Sequence, residues 1–375
     1  MKKILIVSAD DIILYQPTIL NLYDYLKNDF EITIISFEPE FLGKKKDTTR
    51  NIVYLKTNKS IKRVWRILDL FLNAFFKRID KYLFKFNFRT QFVRHYKCKI
   101  LIEELQNRKA DHVIAVDLMP LFAAQKVFGL SIFLSLEIFA FDPYRPRVDE
   151  NKITAVIIQN QQRFDFLFNH IKPKVFYIQN APLCKNICLN ENARDGLVWG
   201  GTIAREFAIF DCLNFIRAFP DYFLLLKGAA PKNTLKKIES GYNDILSSGR
   251  VIVNTEYLSA EELIKTFSAY KIGFSFYDWQ LIKKSFNYQT APSGKLFMYL
   301  AAGVPVIACD IPGFKFIEEN GAGVLVKDYA PDTILNAIQI IEADYLVFQK
   351  NSYKVFFEYC FDNGAKSFRS FLMSN

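Results

Sequence analysis

The sequence predicts an α/β protein made of two doubly wound parallel sheets in series, and three observations carry that expectation. Short apolar runs bounded by polar residues alternate with helical periodicity, the pattern of layered parallel folds. Runs such as ILIVSA and VIAV show little alternation, which suits strands buried on both faces. The same pattern then starts again after a polar, turn-forming stretch between Pro182 and Asp195. At 375 residues, each half is long enough to bury its own core.

In chain order, KILIVSA, EITIISF, NIVYLK, HVIAVD, SIFLSLE, AVIIQ and VFYIQN read as strands of the first half. GLVWGG, YFLLLKG, RVIVNT, KIGFSFY, VPVIACD and GVLVKD read as strands of the second. The expected domains are 1–185, interrupted by a basic aromatic insertion at about 59–100, and 195–350, followed by a helical tail at 351–375. MKKILIVSADD lacks a long apolar core and a small-residue cleavage site, so it reads as a first strand rather than a signal peptide. The longest apolar stretch, Val127 to Phe141, is interrupted by Glu137 and is too short to span a bilayer. Six cysteines, at 98, 184, 188, 212, 309 and 360, suggest no paired framework. A reducing cytoplasm is the expected compartment, with peripheral membrane association at most.

The net charge of +10 has one address. Between Lys59 and Ile100 stand twelve Lys or Arg and two acids, Asp69 and Asp80, so this segment carries the whole excess. Helical spacing puts Val64, Leu68, Phe71, Leu72 and Phe75 on one face, with Lys62, Arg63, Arg66, Lys77, Arg78 and then Lys81 around it. A basic rim on an aromatic face fits an interfacial helix meeting an anionic membrane surface or a lipid pyrophosphate. The plainer alternative is a helix packed on its own sheet with solvated charges. No nucleic-acid motif accompanies the charge, so nucleic acid is not an expected partner.

The stretch from Tyr288 to Val326 carries the chemistry. Pro292-Ser293-Gly294-Lys295 forms a turn into the helix KLFMYLAAG, and the strand VPVIACD follows. A helix N-terminus offers N–H groups and a partial positive charge to phosphate. Ser293 adds a hydroxyl, Gly294 allows close backbone approach, and Lys295 adds a full charge. The order of turn, Ala-Ala-Gly helix end, Val-Pro-Val-Ile-Ala, Pro312-Gly313 and Gly321-Ala-Gly323 resembles the C-terminal signature of GT-B glycosyltransferases. It is most similar to the bacterial families that build capsular, exopolysaccharide and lipopolysaccharide chains.

The resemblance implies two Rossmann-like domains facing across a cleft, with the last helix returning to the first domain. It also implies a donor site for a nucleotide-sugar at strand ends of the second half. Gly200, Gly201, Thr202 and Arg205 would meet the phosphates, Lys227 and Gly228 would end the second strand, and Tyr257 would frame the base. Pro292, Ser293, Gly294, Lys295 and Met298 would complete the donor site. In the first half, Asp117 and Glu137 end strands that face the acceptor in such proteins, and they are the candidate catalytic bases, with helix capping as their structural alternative. The activity implied is a metal-independent transfer of a hexose-type sugar to a glycan or lipid-linked acceptor in surface-polysaccharide synthesis. No cofactor is expected: no Asp-x-Asp sequence occurs, and His95, His112 and His170 have no ligand spacing.

The chain departs from the pattern at Met298 and Thr290, where relatives often carry glutamates that bind the donor ribose and sugar. Glu318, Glu319 or a backbone group would then have to hold the ribose. These departures keep open a GT-B-like protein that binds a sugar nucleotide or partner without catalysis. A sugar-nucleotide 2-epimerase is a third reading, disfavoured by the scarcity of histidine. Oligomeric state has no signature.

Overall fold

The computed structural model describes residues 1–39, 46–58, 88–139, 142–168, 172–190 and 192–375. The basic face of Lys62, Arg63, Arg66, Lys77, Arg78 and Lys81 lies outside the described residues.

Two parallel sheets stand in series. The first has strands β1 (Lys3–Val7), β2 (Glu31–Phe37), β3 (Ile52–Leu55), β4 (His112–Val116), β5 (Ser131–Leu134), β6 (Ile153–Ile158) and β7 (Lys174–Tyr177), in the order 3-2-1-4-5-6-7. The second has β8 (Leu197–Gly200), β9 (Leu224–Lys227), β10 (Val251–Asn254), β11 (Ile272–Ser275), β12 (Val306–Cys309) and β13 (Gly323–Val326), in the order 10-9-8-11-12-13. Every strand pair is parallel.

The helices of the first half are α1 (Pro17–Leu26), α2 (Phe88–Leu105), α3 (Leu118–Phe128) and α4 (Gln161–Leu167). The second half contributes α5 (Ile209–Ala218), α6 (Lys232–Gly241), α7 (Asn243–Ser247), α8 (Ala260–Phe267), α9 (Trp279–Ile282), α10 (Phe286–Thr290), α11 (Gly294–Ala301), α12 (Lys315–Glu319) and α13 (Pro331–Ala343). Two long helices, α14 (Tyr345–Tyr359) and α15 (Phe361–Ser374), end the chain.

Strand β1 explains why its sequence lacks alternation. Leu5 and Val7 join the core on one face of the first sheet, while Ile4 and Ile6 join the core on the other. The second sheet has one continuous core, in which β8, β11 and β12 pack against α11 through Leu296, Phe297, Tyr299 and Leu300. Burying such side chains contributes about 1.5–3 kcal/mol each.

The tail divides between the two cores. Val355 and Phe356 of α14 are buried in the second core, whereas Phe361, Ala365, Phe368 and Leu372 of α15 are buried in the first. The return to the first domain therefore begins at Phe361 rather than at residue 351. Arg369 fixes it with paired hydrogen bonds to Asp29 at 2.6 and 2.7 Å.

The chain crosses between domains twice, and the crossings touch. Phe361 N–H donates to the Pro182 carbonyl at 3.0 Å. Cys184 and Cys360, which flank these crossings, form a disulfide with Cα atoms 5.4 Å apart and 176 positions between them in sequence. This corrects the expectation of unpaired cysteines: the two meet only once both domains have folded. Cys98, Cys212 and Cys309 are buried thiols, and Cys188 is a partly exposed one. A Cys184→Ser variant should unfold at lower denaturant, by about 2–4 kcal/mol without reductant. The difference from wild type should vanish in dithiothreitol, and chemical denaturation in both conditions measures it.

Candidate functional site

Each sheet changes its direction of winding once, between β1 and β4 in the first and between β8 and β11 in the second. A doubly wound sheet opens a crevice at that point, beyond the strands' carboxyl ends. The first crevice is flanked by Asp10, just after β1, and Asp117, just after β4. The second is flanked by Gly201, after β8, and Tyr277, after β11.

Asp117 precedes α3 but does not cap it with its side chain. Its Oδ1 instead accepts the N–H groups of Leu136 at 2.8 Å and Glu137 at 3.1 Å, binding the end of β4 to the loop after β5. This disposes of the helix-capping alternative. The residue adopts φ 62° and ψ 175°, a backbone state that costs a non-glycine residue about 1–3 kcal/mol and clusters at functional sites. Burial pushes its carboxyl up to about 7, the two N–H donors oppose that, and the nearby Glu137 and Asp10 add to it. Among the described residues, no hydrogen bond engages its Oδ2.

Glu137 is exposed. The surrounding protein raises its carboxyl, while Arg163 and a hydrogen bond from Asn287 act against that rise. Asp10 accepts from Gln16 Nε2 at 2.7 Å, and burial raises it as well, with Lys97 opposing. Sequence reading missed Asp10, although SADD ends the first strand and the strand-end rule would have found it.

The second crevice is organised around Tyr299 of α11, fully buried between β8 and β11. Gly200 N–H donates to its phenol oxygen at 2.5 Å, and its O–H donates to the Phe274 carbonyl at 3.2 Å. The ring fits because Gly273 has no side chain: a Cβ there would lie 2.7 Å from it. Next, the loops after β8 and β9 press together. Gly201 N–H donates to Lys227 O at 2.9 Å. A Cβ on Gly228, whose φ is 147°, would sit 1.8 Å from the Gly201 carbonyl oxygen.

Lys295 lies half-buried among three rings, its Nζ 3.4 Å from the Trp199 ring centre, 5.5 Å from Phe207 and 5.8 Å from Tyr277. Burial pushes the ammonium down to about 7, and the Cys309 and Cys212 sulfurs oppose that. The aromatic faces give a cation electrostatic support without neutralising it. Lys295 therefore sits beside Gly201, its Cδ 3.8 Å from where a Cβ there would lie. Thr202 and Arg205 are exposed on the same loop. That loop ends at Ala208, also in the left-handed region at φ 53°.

Other candidates are engaged differently from the expectation. Lys227 is buried, and its Nζ donates to Asn254 Oδ1 at 2.7 Å and Glu256 O at 2.8 Å, so it ties β9 to β10. The close approach that Gly294 allows is made by Asn180 of the first domain, whose Nδ2 would be 2.9 Å from a Cβ there. Ser293 lies beside the Tyr277 phenol and acts against the rise that burial imposes on it. Pro292 is buried, and Met298 packs against the second core, offering no acceptor. Tyr257 meets Tyr15 of the first domain edge-on, ring centres 5.6 Å apart. Glu318 and Glu319 are exposed on α12.

The two halves join along α4 and α10. Phe166 stacks on Phe286 at 4.1 Å, and Asn160 Nδ2 donates to the Thr290 carbonyl at 2.9 Å. Glu137 accepts a hydrogen bond from Asn287 Nδ2. Thr290, at a position where an acid was missing, accepts from Arg163 Nη1 at 3.3 Å. Arg163 and Asn287 were not singled out from sequence. Among the described residues, the group with metal-ligand geometry is Cys184, Cys360 and Asp362, whose two sulfurs form the disulfide.

No family model and no curated protein sequence matches the chain. Solved structures do. A sucrose-phosphate synthase from Thermosynechococcus elongatus has a TM-score of 0.69 at 14% identity, covering 100% of both chains. An α,α-trehalose-phosphate synthase (UDP-forming) from Burkholderia xenovorans, in complex with glucose-6-phosphate, has a TM-score of 0.65 at 11% identity, covering 100% of this chain and 99% of that one. A glycosyltransferase from Rickettsia africae has a TM-score of 0.68 at 12% identity, covering 99% of this chain and 97% of that one. The shared fold is the GT-B arrangement of two Rossmann-like domains facing across a cleft.

Two substitutions test the geometry of the second crevice. Tyr299→Phe strands the Gly200 N–H and should cost about 1–3 kcal/mol, read by thermal unfolding. Gly228→Ala should displace the Gly201 loop, and the loss should appear as a lowered midpoint in thermal unfolding at near-normal content of secondary structure.

Proposed function

We propose that this chain is a glycosyltransferase that moves a sugar from a nucleoside-diphosphate sugar to an acceptor hydroxyl. The observation that carries the reading is the opposition of two unlike crevices: one bearing a strained, half-neutral carboxyl, the other a glycine turn with a caged lysine. In this reading the diphosphate lies over Gly201 and the start of α11. Arg205, Lys295 and backbone N–H groups meet the charge that develops as the glycosidic C–O bond breaks. Asp117 takes the proton from the acceptor hydroxyl as the new C–O bond forms, and its raised pKa matches a base working near neutrality. A single displacement of this kind inverts the anomeric centre. The reaction is metal-independent in this reading because the lysine, arginine and helix end supply the positive charge.

The finer biological reading rests on the sequence. The resemblance to polysaccharide-building families supports a glycan or lipid-linked acceptor in surface-polysaccharide synthesis. The basic aromatic segment supports a peripheral position at an anionic membrane, and no described helix is long and apolar enough to cross one. Glucose-6-phosphate, named with the Burkholderia protein, is a second acceptor class worth assaying. A non-catalytic sugar-nucleotide-binding protein is the competing reading, favoured by Met298 and Thr290, which present no carboxylate to the donor.

The experiment is a thermal-shift screen against UDP-, GDP-, CMP- and dTDP-sugars, followed by turnover assays with the donor that shifts the protein. One selective shift with turnover is the expected result; a shift without transfer or donor hydrolysis selects the non-catalytic reading, and no shift sinks both. Asp117→Asn should lower kcat by about 10²–10⁴-fold while leaving donor affinity intact.

Lys295 adds a pH signature. Below about pH 7 it is already charged, so donor Kd should be flat. Above it, binding must take up a proton, and Kd should weaken by up to about tenfold per pH unit. Lys295→Met should bind weakly and remove the dependence, as titration calorimetry from pH 5.5 to 8.5 would record.

A further inference from the structure

Arg163 has no exposed surface, which is uncommon for an arginine unless its charge serves a partner. It stands in the first turn of α4, where its own N–H donates to the Asn160 cap at 2.9 Å. Its guanidinium leaves the first domain. Nη1 donates to Asn287 Oδ1 at 2.9 Å and to Thr290 Oγ1 at 3.3 Å, both on α10 of the second domain. Nη2 turns back to the Leu136 carbonyl at 2.9 Å, in the loop that carries Glu137. Nε is buried without a hydrogen-bond partner among the described residues.

Asn287 completes the circuit. Its Oδ1 accepts from Arg163 and from Ile138 N–H at 3.3 Å, which fixes the amide so that Nδ2 points at the Glu137 carboxylate. The Leu136–Glu137 segment in turn donates both its N–H groups to Asp117. One guanidinium thus connects both domains to both candidate carboxyls. Each carboxyl has one oxygen engaged, Glu137 Oε2 by Asn287 and Asp117 Oδ1 by the two N–H groups of the loop.

We propose that Arg163 is a positioning residue: it locks the Asp117–Glu137 face of the first domain onto α10 of the second and so holds the loop that anchors Asp117 and carries Glu137. The catalytic part of this rests on the glycosyl-transfer reading; the electrostatic part does not. The charged and titratable groups facing the pair are Asp10 after β1, Arg163 on α4, and Tyr288 and Tyr277 from the second domain. Arg163 is the cation among them. Removing it takes away a favourable charge from both carboxylates, so both should protonate at higher pH.

Arg163→Met and Asn287→Ala, in the full chain, test this by ¹³C NMR titration of the Asp and Glu carboxyls, with thermal unfolding as the control for folding. In Arg163→Met the Glu137 midpoint should rise by about one pH unit or more and that of Asp117 by less, and the ascending limb of kcat/KM should follow Asp117. In Asn287→Ala the Glu137 midpoint should rise and that of Asp117 should move less. Folded Arg163→Met with unmoved midpoints overturns the proposal. If that variant does not fold, an unmoved Glu137 midpoint in Asn287→Ala does the same. The titration needs no turnover, so a wild type that transfers no sugar would refute the enzymatic reading while leaving the effect of Arg163 measurable. Moved midpoints with an unmoved kcat/KM limb would overturn the catalytic part of the proposal.

Discussion

In a parallel sheet all strands finish on the same edge, and where the winding reverses, no crossover helix covers that edge. This constraint places nearly everything of interest in the molecule. β1 and β4 deliver Asp10 and Asp117 to one gap, and β8 and β11 deliver Gly201 and Tyr277 to the other. The domains then turn these gaps toward each other through a polar seam, with Arg163, Asn287 and Thr290 at its centre and the Phe166–Phe286 stack beside it. Burial in the two cores sets the stability. The seam sets which groups share the cleft.

The second crevice is held open by packing from below. The Tyr299 phenol anchors the backbone of Gly200, Gly228 leaves room for the Gly201 carbonyl, and Lys227 ties the neighbouring strand to β10. None of these three needs a ligand to be satisfied. Lys295 differs: its charge rests on aromatic faces, with no carboxylate paired to it among the described residues. A group in that condition gains more from an arriving anion than an ion-paired lysine would.

The fold was legible because its signals are local. Apolar runs, turn glycines and the Ala-Ala-Gly helix end specify strands and their order without knowledge of distant contacts. The strand-end positions of Asp117 and Gly201 were legible for the same reason. Arg163 was not: in NQQRFDFL it reads as a surface cation, and its burial depends on Asn287, 124 positions away. Lys227 and Gly294 show the converse. Both suit a phosphate by residue type, yet Asn254 and Asn180 already use what they offer. The Cys184–Cys360 pair likewise depends on two crossings that only the assembled domains bring together.

Asp117 has a wider consequence. Its backbone occupies a region that glycine enters freely and that a side chain enters at a cost. Glycine would relieve that cost, but it would leave the Leu136 and Glu137 N–H groups without their acceptor. Backbone strain and loop anchoring therefore pull in opposite directions at this one residue. A screen for hardier variants would be expected to leave Asp117 in place and to gain its stability elsewhere.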